Sequence, residues 1–342
     1  MLYFLIDMNL KNLSTILEKE PRFRFKQIQD AVYKQFVDNW GDVSNLPKNL
    51  VANLKENYPL KINAEIMSDN GGNTKKAIIR LNDGEQIEAV LMRNKQGKNT
   101  ACISSQAGCP IGCVFCATGQ SGFKRNLQAE EIINQILLFA RILKKEDAKI
   151  DRIVFMGMGE PFLNWEEAKK AIETLLDKDK FGFGSRHISI STIGVTEGIR
   201  ALAKEFPQIN LAVSIHSANN QKREELAGIN ERYNLNRIKK AIEYYLSITN
   251  RKVFFEYVML DNFNDQGEDA RELARYIQSF DKRHLIHVNL IAYNKTLAEF
   301  KASSGETQEK FKDFLEKNHI STTIRKSFGG EVVGACGQLK SF

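Results

Sequence analysis

Seven short runs rich in β-branched and aromatic residues recur between Thr100 and Ser327: TACISS, RIVFMG, HISISTIG, LAVSIHS, KVFFEYVML, IHVNLIAY and STTIRKS. A helical stretch separates each run from the next. In the first stretch, Ile132, Ile133, Ile136, Leu137 and Ala140 share one face; in the fourth, Ile238, Ala241, Ile242, Tyr245 and Leu246 do. Asn164 and Glu167 are expected to form an N-cap and capping-box pair ahead of Ala168, Ile172 and Leu175. Strands that alternate with helices make a parallel sheet, because parallel strands need long crossovers. Six βα units in series are too few to close an eight-fold barrel. An open partial barrel and a doubly wound sheet both satisfy the pattern. In either, the active residues belong at the C-terminal ends of the strands.

The chain ahead of this array has a different texture. Residues 1–60 read as a small helical domain, with Leu10, Leu13, Ile16 and Leu17 at helical spacing, then Phe25, Ile28, Val32 and Phe36. Residues 61–94 read as a β-rich connector, with KKAIIRL and EQIEAVLM flanking Asn82-Asp83-Gly84 as a hairpin. The α/β core is expected over 95–330 and a C-terminal loop over 331–342. The longest apolar run, Met1–Ile6, is too short for a membrane span or a signal segment, so a cytoplasmic, membrane-free chain is expected. In that compartment five cysteines read as metal or redox chemistry, not as a disulfide framework.

Three of them, Cys109, Cys113 and Cys116, fall in GCPIGCVFCATG with C-x3-C-x2-C spacing. Cys102 lies just upstream and Cys336 far away near the C-terminus. Three thiolates can ligate three corners of an iron–sulfur cube and leave one iron open. An open metal position is what a catalytic site keeps. The rival is structural zinc with Cys102 as fourth ligand, although C-x6-C-x3-C-x2-C is not a usual paired-knuckle pattern.

C-x3-C-x2-C after the first strand of a βα array, with Phe115 before the last cysteine, resembles the radical SAM superfamily. CISSQAGCPIGCVFCATGQSGFKRNL, VFMGMGEPFLN, ISISTIGV, SIHSANN, HVNLIAYN and IRKSFGGEVVGACGQL together are similar to the RlmN/Cfr family within it. The resemblance runs from about Arg22 to the end. It implies an α/β fold, a radical SAM partial (β/α)6 barrel with a small N-terminal helical accessory domain and a β-rich connector. It implies a [4Fe-4S] cluster on Cys109, Cys113 and Cys116, and two S-adenosylmethionine molecules (SAM) per turnover. Gly159 and Glu160 match the loop that holds the SAM amino group; Ser191, Ser214, Ile215, His216 and Asn294 match further contacts. Without the family each of these has an ordinary structural reading, such as a turn residue or a satisfied core histidine.

The reaction implied is methylation of an adenine of 23S rRNA. C2 of adenine is electron-poor and offers no nucleophile to an electrophilic methyl, so the cofactor carries the difficult step. Cys336 matches the family's methyl-carrying thiolate and Cys102 the cysteine that resolves the protein–RNA adduct through a transient disulfide. Glu88, in EQIEAVLM, matches a candidate base for the ring proton, with a surface glutamate on a strand as the alternative. RlmN-type members methylate C2, some also on tRNA, and Cfr-type members methylate C8. GMGEPFLN with Pro161 favours the C2 branch. The implied partners are 23S rRNA, tRNA for some members and a flavodoxin-type electron donor, with the chain working as a monomer.

A net charge of +7 is compatible with RNA, yet the first 70 residues carry as many acidic as basic side chains. RFRFK, Arg22 to Lys26, is a local basic–aromatic patch; Lys124, Arg125, Arg186, Arg325 and Lys326 are further candidates to meet phosphates. A metal-bearing RNA-binding module without catalysis is the competing class. It has no need of Cys336, Glu160 or a SAM pocket.

Overall fold

The computed structural model describes residues 13, 16–18, 20–229, 231–325 and 329–340. Helices α1 (Arg22–Tyr33) and α2 (Lys48–Asn57) each begin after a proline, Pro21 and Pro47, where a missing N–H costs no helical bond. α1 buries Ile28, Ala31, Val32 and Tyr33. Leu13 is helical and buried, while Leu10 lies outside the described residues. Phe36, expected on the α1 stripe, lies past the end of that helix, where its ring stacks on Phe181 at 6.2 Å. Trp40, in the turn between the two helices, donates its indole N–H to the carbonyl of Tyr58, the residue that ends α2, at 2.6 Å.

The next segment is an antiparallel meander of β1 (Ala64–Ser68), β2 (Thr74–Arg80) and β3 (Gln86–Arg93). The hairpin between β2 and β3 turns at Asn82-Asp83-Gly84, as its sequence predicts; Gly84 has φ +92°. β3 pairs antiparallel with β4 (Asn99–Cys102), setting Val90 opposite Cys102. After β4 the chain forms a small second sheet, β5 (Gln106–Gly108) against β6 (Phe123–Asn126), with the short helix α3 (Ala117–Gln120) between them.

Six crossovers then build the main sheet. Helices α4 (Ala129–Lys144), α5 (Trp165–Leu176) and α6 (Thr196–Glu205) alternate with β7 (Arg152–Phe155), β8 (Ile188–Thr192) and β9 (Asn210–Ser214). Helices α7 (Asn220–Ala227) and α8 (Leu235–Thr249) lead to β10 (Val253–Met259); α9 (Gly267–Gln278) and α10 (Gly305–Lys317) precede β11 (Ile286–Ala292) and β12 (Ser321–Arg325). The strand order is β1-β2-β3-β4-β7-β8-β9-β10-β11-β12, and every pair from β4 to β12 is parallel. The order never reverses, so the sheet has no switch point and is singly wound. All seven expected strands are present, and the partial barrel prevails over the doubly wound alternative. The predicted stripes of α4 and α8 are buried against the sheet.

One local expectation fails. Asn164 stands at the N-cap of α5 but does not cap it. Its amide donates to the carbonyls of Ser105 and Leu127, both at 2.8 Å, and so fastens the loop after β4. Glu167 reaches across to accept the backbone N–H of Ala129 at 2.9 Å, the first residue of α4. A 3-10 turn over Pro161–Asn164 runs directly into α5, so its first N–H groups have no need of a side-chain cap. The capping boxes belong to α4 (Gln128 with Glu131) and α9 (Gln266 with Asp269).

Gly108, at the end of β5, has φ +73°, and a Cβ there would stand 1.9 Å from the Gly122 carbonyl oxygen. Gly84 shares the left-handed backbone but has nothing within 4 Å of its missing Cβ. Gly84→Ala is expected to cost about 1 kcal/mol, for backbone strain alone. Gly108→Ala adds overpacking against backbone and is expected to cost at least about 2 kcal/mol more. Denaturant unfolding of the two variants side by side checks the difference.

Candidate active site

Because the seven parallel strands point one way, their C-terminal ends open on one cavity. Cys102 ends β4 and lines it; the loop after β5 contributes Cys109, Cys113, Phe115 and Cys116. The loop after β7 contributes Gly157, Gly159 and Glu160, and β8 contributes Ser191 and Thr192. β9 and its loop supply Ser214 and His216, β10 supplies Glu256, β11 and its loop supply Tyr293 and Asn294, and β12 supplies Arg325. The C-terminal segment Gly334–Gly337 completes the wall and brings Cys336 in.

The five cysteines are all free thiols. Burial pushes the Cys109 thiol up to about 12, and Cys113 is raised well above the ordinary range by burial and by its neighbours Cys116 and Cys109. Cys102 is buried and is pushed up to about 12, again by burial first, but the ionisable groups that act on it are Cys336 and Arg325. Cys102 therefore keeps company with Cys336 and not with the other three, which removes the fourth ligand of the zinc reading. Among the described residues, no three His, Cys, Asp or Glu side chains converge on a single-ion position. Three soft donors along one loop that lines a cavity fit an iron–sulfur cube with one open corner. Their protons are lost when metal takes their place.

Glu160 is buried at 4% exposure. Its carboxylate accepts from the Phe162 N–H at 3.1 Å and the Ile193 N–H at 2.8 Å, bridging the loops after β7 and β8. Burial nevertheless pushes its pKa up to about 7, the state of a carboxylate short of a cation. Gly159 has φ +97°, and a Cβ there would lie 2.5 Å from Gln106, whose Oε1 accepts the Glu160 N–H at 2.8 Å. That close approach sets the height of Glu160 in the cavity.

His216 has a left-handed backbone, φ +55°, held by Asn264, which donates to its carbonyl at 2.7 Å. The imidazole Nδ1 accepts the Val258 N–H at 3.1 Å, so the ring proton sits on Nε2. Burial lowers its pKa to about 3, and the ring meets Phe115 edge-on at 4.9 Å. It is a neutral donor. The Ser191 and Ser214 hydroxyls lie 3.4 Å apart, and the Asn294 amide donates to the Cys336 carbonyl at 3.1 Å.

Two expected residues fall elsewhere. The Ile215 side chain is in the hydrophobic core and does not line the cavity. Glu88 is not in the cavity wall either; it is fully buried, with its Oε1 2.7 Å from the Lys76 ammonium. Of the basic residues expected to meet RNA, Arg186 precedes the first residue of β8, at the end of the strand opposite the cavity. Arg125 is paired with Glu131 and Asp83, Arg325 turns inward, and Lys326 lies outside the described residues. Lys124 and Phe23 are exposed.

The missed feature is a polar ladder in the cavity floor. Glu256 accepts from Asn289 at 2.9 Å and from Arg325 at 3.2 Å, linking β10, β11 and β12. A lone glutamate in the apolar run VFFEYVM was the signal for it. Cys336 is open to the cavity, yet surrounding atoms push its thiol up while Arg325 acts the other way.

A parallel partial barrel with three clustered thiols after its first strand places the chain among radical SAM proteins, and residues 103–277 match the Radical SAM superfamily. A radical SAM methyltransferase from Sphaerobacter thermophilus has a crystal structure that superposes with a TM-score of 0.92 at 36% identity, covering 98% of each chain. The "Probable dual-specificity RNA methyltransferase RlmN" of Dictyoglomus turgidum is 40% identical over 98% of this chain and 96% of its own. The "Ribosomal RNA large subunit methyltransferase Cfr" of Clostridium botulinum is 42% identical over 94% and 93%. The chain belongs to the RlmN/Cfr family of radical SAM rRNA methyltransferases.

Because the folded-state pKa of His216 lies below its ordinary value of 6.5, its neutral ring favours the fold above about pH 6.5. That contribution is lost as pH falls from there toward about 3. The stability advantage of the parent over His216→Gln is expected to shrink across this window, read as urea midpoints at fixed ionic strength.

Proposed function

We propose that this enzyme methylates C2 of an adenosine in 23S rRNA, with Cys336 as methyl carrier. The observation that carries the reading is that Cys102 and Cys336, which are neighbours, line one cavity with the three-thiol loop. Cys109, Cys113 and Cys116 would hold a [4Fe-4S] cluster. When bound, that cluster and SAM supply a 5′-deoxyadenosyl radical and a methyl group. Glu160, short of a cation, would face the SAM ammonium, and the Ser191 and Ser214 hydroxyls, the His216 Nε2–H and the Asn294 side chain offer polar contacts. The Cys336 thiolate takes the methyl by displacement, favoured by the Arg325 guanidinium. Once the S-methyl carbon has given a hydrogen atom to the radical and bonded to C2, loss of the C2 proton and return of one electron to the cluster would leave a Cys336 thioether joined to the base. Cys102 then attacks the Cys336 sulfur: an S–S bond forms, the bond from that sulfur to the new carbon breaks, and the carbon keeps the electron pair and takes a proton to become the methyl.

Pro161 in GMGEPFLN favours C2, and the dual-specificity name of the Dictyoglomus relative supports tRNA as a second substrate. A flavodoxin-type donor would supply the electron. In the cytoplasm, where the transcript is made, the chain would meet rRNA before assembly buries the target.

Anaerobic protein with its cluster restored, given SAM, a reductant and unmodified 23S rRNA, is expected to yield 2-methyladenosine by nucleoside mass spectrometry. 8-Methyladenosine would overturn the C2 assignment. SAM cleavage with neither product would overturn the substrate. Cys113→Ala is expected to lose the iron absorbance and all turnover; surviving turnover removes the radical reading. Cys102→Ala is expected to accumulate covalent protein–RNA adduct, visible on a denaturing gel, and clean product without adduct refutes its resolving role.

A further inference from the structure

We propose that the buried Lys76–Glu88 ion pair is a clamp that sets the position of Cys336. Lys76 on β2 and Glu88 on β3 sit diagonally across the hairpin, Lys76 opposite Val90 and Glu88 opposite Ile78, so both side chains share one face. The ammonium and the carboxylate are 2.7 Å apart, with side-chain exposures of 5% and 0%. Such a pair is costly in an apolar wall unless its remaining protons and lone pairs are satisfied. The C-terminal segment supplies one further partner to each side chain. Lys76 donates to the Val333 carbonyl at 3.3 Å, and the Lys340 N–H donates to the second Glu88 oxygen at 3.1 Å. These two backbone groups flank Cys336, three residues before it and four after. One ion pair therefore grips both arms of the loop that carries the thiol.

Other contacts fix the tip. The Ala117 N–H, next to Cys116, donates to the Gly337 carbonyl at 2.8 Å, and Asn294 donates to the Cys336 carbonyl. The clamp holds the arms and the cavity holds the tip. Glu88 has one oxygen committed to Lys76 and the other to Lys340, and it stands outside the cavity wall. These contacts make it a positioning residue for Cys336. The clamp's catalytic meaning rests on Cys336 being the methyl carrier; its structural action does not.

The test uses the full chain. Lys76→Met/Glu88→Met replaces the pair with apolar side chains of similar length, which generally spares stability, but it supplies no groups to Val333 and Lys340. Lys340→Pro removes the N–H that Glu88 accepts and leaves the pair intact, with Lys340→Ala as the control for the lost side chain, so it reads the clamp even if the double variant does not fold. In the protein without cofactors, hydrogen exchange of peptides covering 329–340 is expected to quicken at least about tenfold in the double variant, with the β10 peptide unchanged. Lys340→Pro should move it in the same direction, by less. In the cluster-loaded protein, product formation is expected to fall at least about tenfold in the double variant while SAM binding is kept. Parental exchange in both variants, or parental product formation in the double variant, overturns the clamp. Turnover by Cys336→Ala would instead overturn the carrier reading and the clamp's catalytic role with it, leaving the exchange result to judge the structural one.

Discussion

Everything in this molecule depends on the direction of its strands. A parallel sheet requires each strand to start at the same end, so each crossover returns the chain to the bottom before the next strand rises. The C-terminal ends of β4 and of β7 to β12 therefore meet at one mouth. Residues as distant in sequence as Cys102, Glu160, His216 and Arg325 become neighbours there without any loop having to travel far. A partial barrel also leaves an unclosed side. The antiparallel meander extends the β4 edge, and the C-terminal segment lies against that meander while reaching into the mouth.

The chemistry of the cavity follows from its dryness. Burial raises the thiols of Cys109 and Cys113, raises Glu160 and lowers His216, each shift disfavouring the charged form. A cavity of neutral, under-partnered groups is prepared for charge that arrives with a ligand: metal for the thiols and a cation for the carboxylate. Arg325 is the exception, held charged by Glu256 beside Cys102 and Cys336. Cys102 and Cys336 thus share the influence of one guanidinium within the cavity.

The strands and the helices α4 and α8 were legible because their apolar periods match the burial they achieve. The cysteine loop was legible because spacing is a local property. Asn164 and Glu167 were misread because a capping pattern says which groups can bond and not which orphan N–H is nearest; each found a partner on a different element. Arg186 was misread because a residue near a strand can lie at either end of it, and only one end is the mouth. Glu88 kept its strand but not its neighbourhood, since a lysine on the adjacent strand and a backbone N–H from the far end of the chain claimed both oxygens.

The amino-acid sequence by itself determined the parallel architecture, the three-thiol loop and the side of the sheet on which chemistry occurs. These rest on period, spacing and chain direction, all of which are read along one dimension. Only the tertiary structure decided that Cys102 sides with Cys336, that His216 carries its proton on Nε2, that Glu256 and Arg325 share the floor, and that Lys76 and Glu88 meet the backbone of Val333 and Lys340. Each of those depends on which buried group lacks a partner and which distant group can reach it, and burial exists only once the chain has closed on itself.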